Sequence, residues 1–333
     1  MEKTKIGVIG LGSVAQLIHL PNLMKLSSVE VISVAEVNKS RLAVIADKFN
    51  IREKYTDYNE LLAKSDVEAV IIATPTATHK GIAIAALKAK KDVLVEKPLA
   101  RSLAEAKPIV ESAKRNKKKL MVGLNLRYRP DAMILKSLIN SDEIGDPNYI
   151  KASWVRRQSS REKWFTKKAE SGGGVIIDLG ILLLDLALWL LDYPVVQTVS
   201  TQSFNMNTKT VEDTSISFIR CKKSALISLE TSWSLLLDKD QFNITVYGSK
   251  GSASINPFRV FKKLEDRLIE LSPPKEENPV TLFQKSYYNE LKSFIAAVRG
   301  ISPIMSTGEE GLIRMKIVEA MYKSAAQKAE IKF

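Results

Sequence analysis

The 333-residue sequence predicts a two-part α/β protein, a doubly wound parallel sheet followed by an α+β part built on a mostly antiparallel sheet. Three observations predict it. Apolar strand-like runs alternate with helical spacing up to about residue 123; strand-like runs then follow one another with short breaks; and a glycine-rich turn joins the first strand to the first helix.

In chain order, residues 5–9 read as a buried strand and 13–26 as the helix after it. Residues 29–35 are a strand and 39–49 a helix. A third strand covers 69–73, a helix 81–89, and a fourth strand 93–95. A helix at 103–116 and a strand at 120–123 complete this part. Beyond it, 149–157, 195–204, 214–221, 225–234 and 241–247 are strand-like, with helices at 130–139, 182–191, 285–299 and 308–329. Ser272–Pro279 carries three prolines and reads as an exposed loop. The change of rhythm puts the expected domain boundary after residue 122, giving parts 1–122 and 123–333.

Composition excludes several classes. Hydrophobic residues make up 45% and charged residues 26%, so the chain can bury cores and is not disordered. The net charge of +13 comes from scattered, lysine-rich clusters that are not interleaved with aromatics, which reads as solvated surface and not as a nucleic-acid face. The most apolar stretch, Val175–Leu191, contains Asp178, Gly180 and Asp185, which argues for a buried helix against a membrane span. One cysteine, Cys221, leaves no internal disulfide or thiolate cluster. With no export signal read at the start of the chain, the expected location is cytoplasmic.

The chemistry-bearing residues cluster at predicted strand ends. Gly10-Leu11-Gly12-Ser13-Val14-Ala15 is a turn whose first glycine bends sharply, whose second lets backbone approach a pyrophosphate, and whose small third position packs helix on strand. Glu36, ending the second strand, suits the two ribose hydroxyls of NAD and repels a 2′-phosphate; a swung-out Arg41 is the feature that would accept NADP. Thr74-Pro75 is a short polar loop suited to the nicotinamide ribose, with His79 in the helix that follows. Val93-Leu94-Val95-Glu96-Lys97-Pro98 puts an ammonium, Lys97, at the carboxyl edge of the sheet, where open α/β sheets bind ligands.

These motifs, with Ser171-Gly172-Gly173-Gly174 leading to Asp178-Leu179-Gly180, resemble the Gfo/Idh/MocA oxidoreductase family over nearly the whole chain. The tail fits too, in Tyr288-Asn289-Glu290-Leu291 with Phe294 and in Glu319-Ala320-Met321-Tyr322-Lys323-Ser324. The resemblance implies a Rossmann domain, a second domain with a large open sheet that mediates homodimers or homotetramers, and metal-free hydride transfer at a sugar, polyol or keto-sugar carbon. It carries over Lys97 and Asp178 as catalytic, and Gly10, Gly12, Ser13, Val14, Glu36, Arg41, Thr74, Pro75, His79, Glu96, Lys97 and Asn125 as cofactor-binding. Substrate contacts are Lys97, Arg127, Trp164, Asp178 and Leu182.

Two departures matter. The family stretch Asp-x-Gly-x-His-x-x-Asp reads Asp178-Leu179-Gly180-Ile181-Leu182-Leu183-Leu184-Asp185, so leucine replaces the acid/base histidine. Both histidines, His19 and His79, lie in the first part. A lysine with an ordinary pKa of about 10.4 is a ready proton donor at neutral pH, which leaves Lys97 as the proton carrier, with Tyr128 or Tyr149 as a further relay candidate. The alternative is a non-catalytic NAD(P)-binding sensor of the same fold. Secondly, Lys90 stands where the family commonly has glycine, so that helix end is capped differently.

Overall fold

The computed structural model describes residues 2–157, 163–235, 237–273 and 277–333. The chain forms two compact units, Met1–Asn125 with Tyr287–Met315, and Leu126–Ser286 with Lys316–Phe333. A single cut after residue 122 therefore misses the return of 287–315 to the first unit. The reason is an uncovered strand edge: the Val122 amide donates to the Ser306 carbonyl at 3.0 Å, and Met121 bridges Thr307.

The first unit holds six parallel strands, β1 (Thr4–Ile9), β2 (Val29–Ala35), β3 (Glu53–Tyr55), β4 (Ala69–Ile72), β5 (Asp92–Glu96) and β6 (Leu120–Gly123). Their order is β3-β2-β1-β4-β5-β6. Central strands of a parallel sheet are buried on both faces, which is why β4 reads Ala-Val-Ile-Ile with every residue buried. The order reverses between β1 and β4, so their carboxyl ends splay into a crevice.

The helix Thr76–Lys88 starts five residues before the expected Gly81. It ends with Lys90 at φ +60°, the Lys90 and Lys91 amides closing onto Leu87 and Ala86 carbonyls. A side chain in this left-handed region costs about 1–2 kcal/mol. Lys90→Gly is expected to stabilise the fold by about 1 kcal/mol. A urea midpoint that falls or stays put would contradict that.

The second unit is built on nine strands: β7 (Pro147–Val155), β8 (Val196–Phe204), β9 (Thr214–Cys221), β10 (Leu226–Ser232), β11 (Gln241–Gly248), β12 (Gly251–Ile255), β13 (Arg259–Leu264), β14 (Arg267–Glu270) and β15 (Ile331–Lys332). The order is β14-β13-β12-β11-β7-β10-β9-β8-β15, and only the β7/β10 pair is parallel.

Strand alternation gives this sheet one buried face, with Ile150, Ile227, Ile219, Val199 and Val246, over which the helix Ile181–Leu190 packs. The opposite face presents Tyr247, Phe218, Ile216 and Phe204 to solvent. Lys168–Leu190 is apolar enough by length and composition to cross a membrane, but 94% of its most apolar window is buried inside the fold, which accounts for its apolarity. In the expected loop Ser272–Pro279, Pro274–Glu276 lie outside the described residues, and Pro279 opens the helix Pro279–Val298.

Candidate active site

In the first unit, Gly10 has φ +90°, and a Cβ there would meet Thr74 Cγ2 at 2.6 Å and the Ala73 carbonyl oxygen at 2.7 Å. Glycine is therefore required where the β1 turn packs on the end of β4. A Cβ at Gly12 would meet nothing within 4 Å, so open space lies over the turn that starts the helical residues 13–23. Ala15 is fully buried, and Ser13 and Val14 are exposed at that helix start. The cradle suits a pyrophosphate, whose charge the helix dipole favours.

Glu36 is buried at the end of β2. Its Oε2 accepts the Leu11 amide at 2.9 Å and lies 3.4 Å from Arg41 Nη1; its Oε1 accepts the Asn38 amide at 3.0 Å. Arg41 thus lies on Glu36 instead of swinging out, an arrangement that favours ribose hydroxyls over a 2′-phosphate.

His79 was expected to touch the cofactor. Because its helix starts at Thr76, the imidazole instead turns inward and is buried, with Nδ1 2.9 Å from the Pro98 carbonyl oxygen and Nε2 2.9 Å from that of Thr74. It acts from beneath as a staple between the loops that end β4 and β5. Burial pushes its pKa down, and the two carbonyls pull partly against that. The Thr78 hydroxyl fixes the same loop, donating to the Pro75 carbonyl at 2.8 Å with Thr74 Oγ1 2.7 Å away.

Lys97 is half-buried at the carboxyl end of β5. The Glu96 carboxylate before it accepts the Lys97 amide at 3.2 Å and lies 2.7 Å from His19 Nε2. Asn125, expected at the meeting of cofactor and substrate, is buried at the start of the short 3₁₀ turn Asn125–Tyr128.

In the second unit, Asp178 sits in a π-helical turn, Ile176–Gly180, and keeps 8% exposure. Its Oδ2 accepts the Trp233 indole N–H at 3.1 Å. Leu182 follows in the first turn of the helix Ile181–Leu190 and is buried, so an apolar wall stands where a titrating ring was expected. Glu212 anchors the start of this helical segment: its carboxylate accepts the Gly174 and Ile176 amides and the Tyr322 hydroxyl. A Cβ at Gly174 would lie 1.9 Å from the Glu212 carbonyl oxygen, which explains the glycine run.

Trp233 also lines a cleft of about 770 Å³ with Arg157, Thr166, Asn207, Thr208, Ser234 and Asp240. Trp164 is half-buried and stacks on Phe165 at 4.0 Å, beside Thr166 of the cleft lining.

Arg127 must be reassigned. Its guanidinium is fully buried in a bidentate pair with Asp185, Nε to Oδ2 at 2.8 Å and Nη2 to Oδ1 at 2.5 Å, and also bonds the Tyr193 hydroxyl. It is a strut and not a substrate contact, because its planar fork matches a carboxylate that reaches it from the far end of the glycine-stretch helix. Tyr149 is likewise committed, with its hydroxyl 2.8 Å from Ser228 Oγ and its ring stacked on Tyr247 on the open sheet face; Tyr128 is buried. Sequence reasoning missed Trp233, Glu212 and the Arg157–Asp240 cleft. The only signals were a tryptophan just past a strand and an adjacent acid pair, Glu212-Asp213, before another.

Residues 4–124 match an oxidoreductase family's NAD-binding Rossmann domain, Gfo/Idh/MocA, and residues 136–333 match the same family's C-terminal alpha/beta domain. The chain is similar to a myo-inositol 2-dehydrogenase of Thermotoga maritima, 27% identical over 98% of each chain. It is also similar to a D-glucoside 3-dehydrogenase of Escherichia coli, 24% identical over 96% of this chain and 95% of the other. Among solved structures, an Agrobacterium radiobacter oxidoreductase in complex with NAD+, L-tartaric acid and magnesium superposes with a TM-score of 0.89 at 21% identity, covering 99% of this chain and 98% of the other.

Proposed function

The chain belongs to the Gfo/Idh/MocA oxidoreductase family, and from that premise we propose that it is an NAD-dependent dehydrogenase interconverting a secondary alcohol and a ketone on a sugar, polyol or keto-sugar, with Lys97 exchanging the proton. The observation that carries this reading is the placement of Lys97 at the carboxyl end of β5, in a sheet whose glycine turn fits a dinucleotide. Similarity to proteins named for inositol and glucoside oxidation supports the substrate class.

When bound, the nicotinamide accepts or donates the hydride. The chain's own residues do the rest. Gly10 and Gly12 shape the pyrophosphate turn, Glu36 takes the ribose hydroxyls, and Thr74, Pro75 and Asn125 border the nicotinamide end. As substrate is oxidised, the Lys97 amine takes the hydroxyl proton while hydride leaves the carbon; in reduction the ammonium returns it to the carbonyl oxygen. Asp178, held by the Trp233 indole N–H on its Oδ2, is the carboxylate that accepts from a substrate hydroxyl. Leu182 has no proton to exchange. The cleft beside Trp233 pairs one aromatic face with amide, hydroxyl and charged groups, a lining that suits a hydroxyl-rich ring.

A panel of sugars, polyols and keto-sugars assayed with NAD(H) and NADP(H) tests the reading. Turnover of at least one substrate is expected, faster with NAD than NADP because Arg41 rests on Glu36. Leucine at position 182 favours the second reading, a non-catalytic NAD-binding sensor. Tight NAD binding without turnover of any panel member would establish it.

The exposed apolar face carrying Ile216 and Phe218 further supports assembly into a homodimer or homotetramer through the second sheet. Sedimentation of an Ile216→Lys, Phe218→Glu double variant should then give a smaller species; an unchanged mass would refute it.

A further inference from the structure

We propose that His19 is a positioning residue of this reaction: through Nε2 it fixes the Glu96 carboxylate at the end of β5, and so sets where Lys97 stands and what faces it. The proposal rests on the dehydrogenase reading above.

His19 belongs to a π-helical turn, Ala15–His19, directly after the glycine turn. Such turns recur at functional sites because they rotate one residue out of helical register. The imidazole has no solvent exposure, and Nε2 lies 2.7 Å from Glu96 Oε1. Its other nitrogen, Nδ1, is buried with no hydrogen-bond partner among the described residues, and the Tyr287 ring meets the imidazole edge-on at 6.5 Å. A buried polar nitrogen left unpaired costs about 1–3 kcal/mol. That cost is set against the contact the imidazole does make, with Glu96.

Glu96 in turn touches the reacting lysine through the chain, its Oε2 accepting the Lys97 amide at 3.2 Å. The charged and titratable groups facing the carboxylate are His19 from the turn after β1, Lys97 beside it, and His79 from the helix Thr76–Lys88. Burial alone would push the Glu96 pKa up. The hydrogen bond from His19, with the charge and amide of Lys97, opposes that, and the Glu96 pKa lies below the ordinary carboxylate value. Without His19 the burial effect prevails: Glu96 takes up a proton, and Lys97 loses its negative neighbour.

The test compares His19→Leu, which removes the donor, with His19→Gln, which keeps a neutral N–H. Carbon-13 NMR titration of the Glu96 carboxyl in substrate-free protein is expected to give a low midpoint in wild type and His19→Gln, and a midpoint above the ordinary range in His19→Leu. On the preferred sugar, His19→Leu should lose kcat on the order of tenfold, less than the ~10²–10⁴ of the proton carrier itself. KM should hold, and the pH-profile limb that depends on Lys97 should move to lower pH, because an ammonium that has lost a negative neighbour releases its proton sooner. His19→Gln should recover both.

Glu96→Gln, which keeps the shape and removes the charge, must move the limb in the same direction and serves if His19→Leu does not fold. An unmoved Glu96 midpoint in His19→Leu, an unmoved limb in Glu96→Gln, or a His19→Gln variant as impaired as His19→Leu overturns the proposal. A wild-type protein with the expected Glu96 titration but no turnover of any sugar sinks the dehydrogenase reading instead.

Discussion

Arg127→Met will destabilise the protein by about 3–5 kcal/mol, the cost of breaking a buried ion pair from one side. Both partners are fully enclosed, and the guanidinium fork satisfies both Asp185 oxygens. Methionine removes the fork and leaves a carboxylate in the core, where the neutral Tyr193 hydroxyl, donating at 2.9 Å, cannot replace the lost charge. Against a total stability of about 5–15 kcal/mol, that is a large fraction. The mechanism has a sharper consequence in the double variant. Arg127→Met with Asp185→Leu replaces the pair by apolar groups, which is often neutral or stabilising. Most of the loss should therefore return, read as the urea midpoint. A double variant as unstable as the single would mean that the charge left behind is not the cause.

Lys97→Met keeps most of the aliphatic stem and removes the proton. General acid–base groups contribute about 10²–10⁴ in rate, and at about 1.4 kcal/mol per tenfold that is roughly 3–5 kcal/mol of barrier. The upper end is expected here. Where the family carries a histidine in the second domain this chain has Leu182, and its two histidines are both buried in the first unit at other tasks, His19 on Glu96 and His79 between two carbonyls. Residual catalysis through either would need it to leave those partners. NAD affinity should survive, because the glycine turn and Glu36 follow β1 and β2, whereas Lys97 follows β5.

The parallel sheet could be read from the sequence because its strands are uninterrupted apolar runs, as in Ala69–Ile72, each closed by a turn signal. Strand β3 could not, since Glu53-Lys54-Tyr55 is a three-residue edge strand with two charged residues and none fully buried. For the same reason β12, β13 and β14 stayed invisible: Gly-Ser-Ala-Ser-Ile, Arg-Val-Phe-Lys-Lys-Leu and Arg-Leu-Ile-Glu carry too few apolar residues in alternation. Pro75 and the β-branched Thr76 and Thr78 hid the true start of the helix that turns His79 inward.

At the site, local motifs were readable and long-range pairings were not. The glycine turn and Glu96-Lys97-Pro98 announce themselves within six residues. Arg127 sits two residues after Asn125 and looked like part of the same pocket, yet its partner Asp185 is 58 residues away. Its role follows from a helix crossing that no local pattern records. His19 was set aside as remote from the second domain's missing histidine; its significance comes from a 77-residue separation to Glu96 that only the fold closes.

The most direct test of the central claim is single-turnover hydride transfer at saturating NAD, wild type against Lys97→Met, on a sugar or polyol found in the panel. NADH formation is followed by absorbance, and cofactor affinity is measured in the same samples. The account predicts that the variant binds NAD within about twofold of wild type while the transfer rate falls by on the order of 10³ or more. A Lys97→Met protein that transfers hydride at the wild-type rate would contradict it.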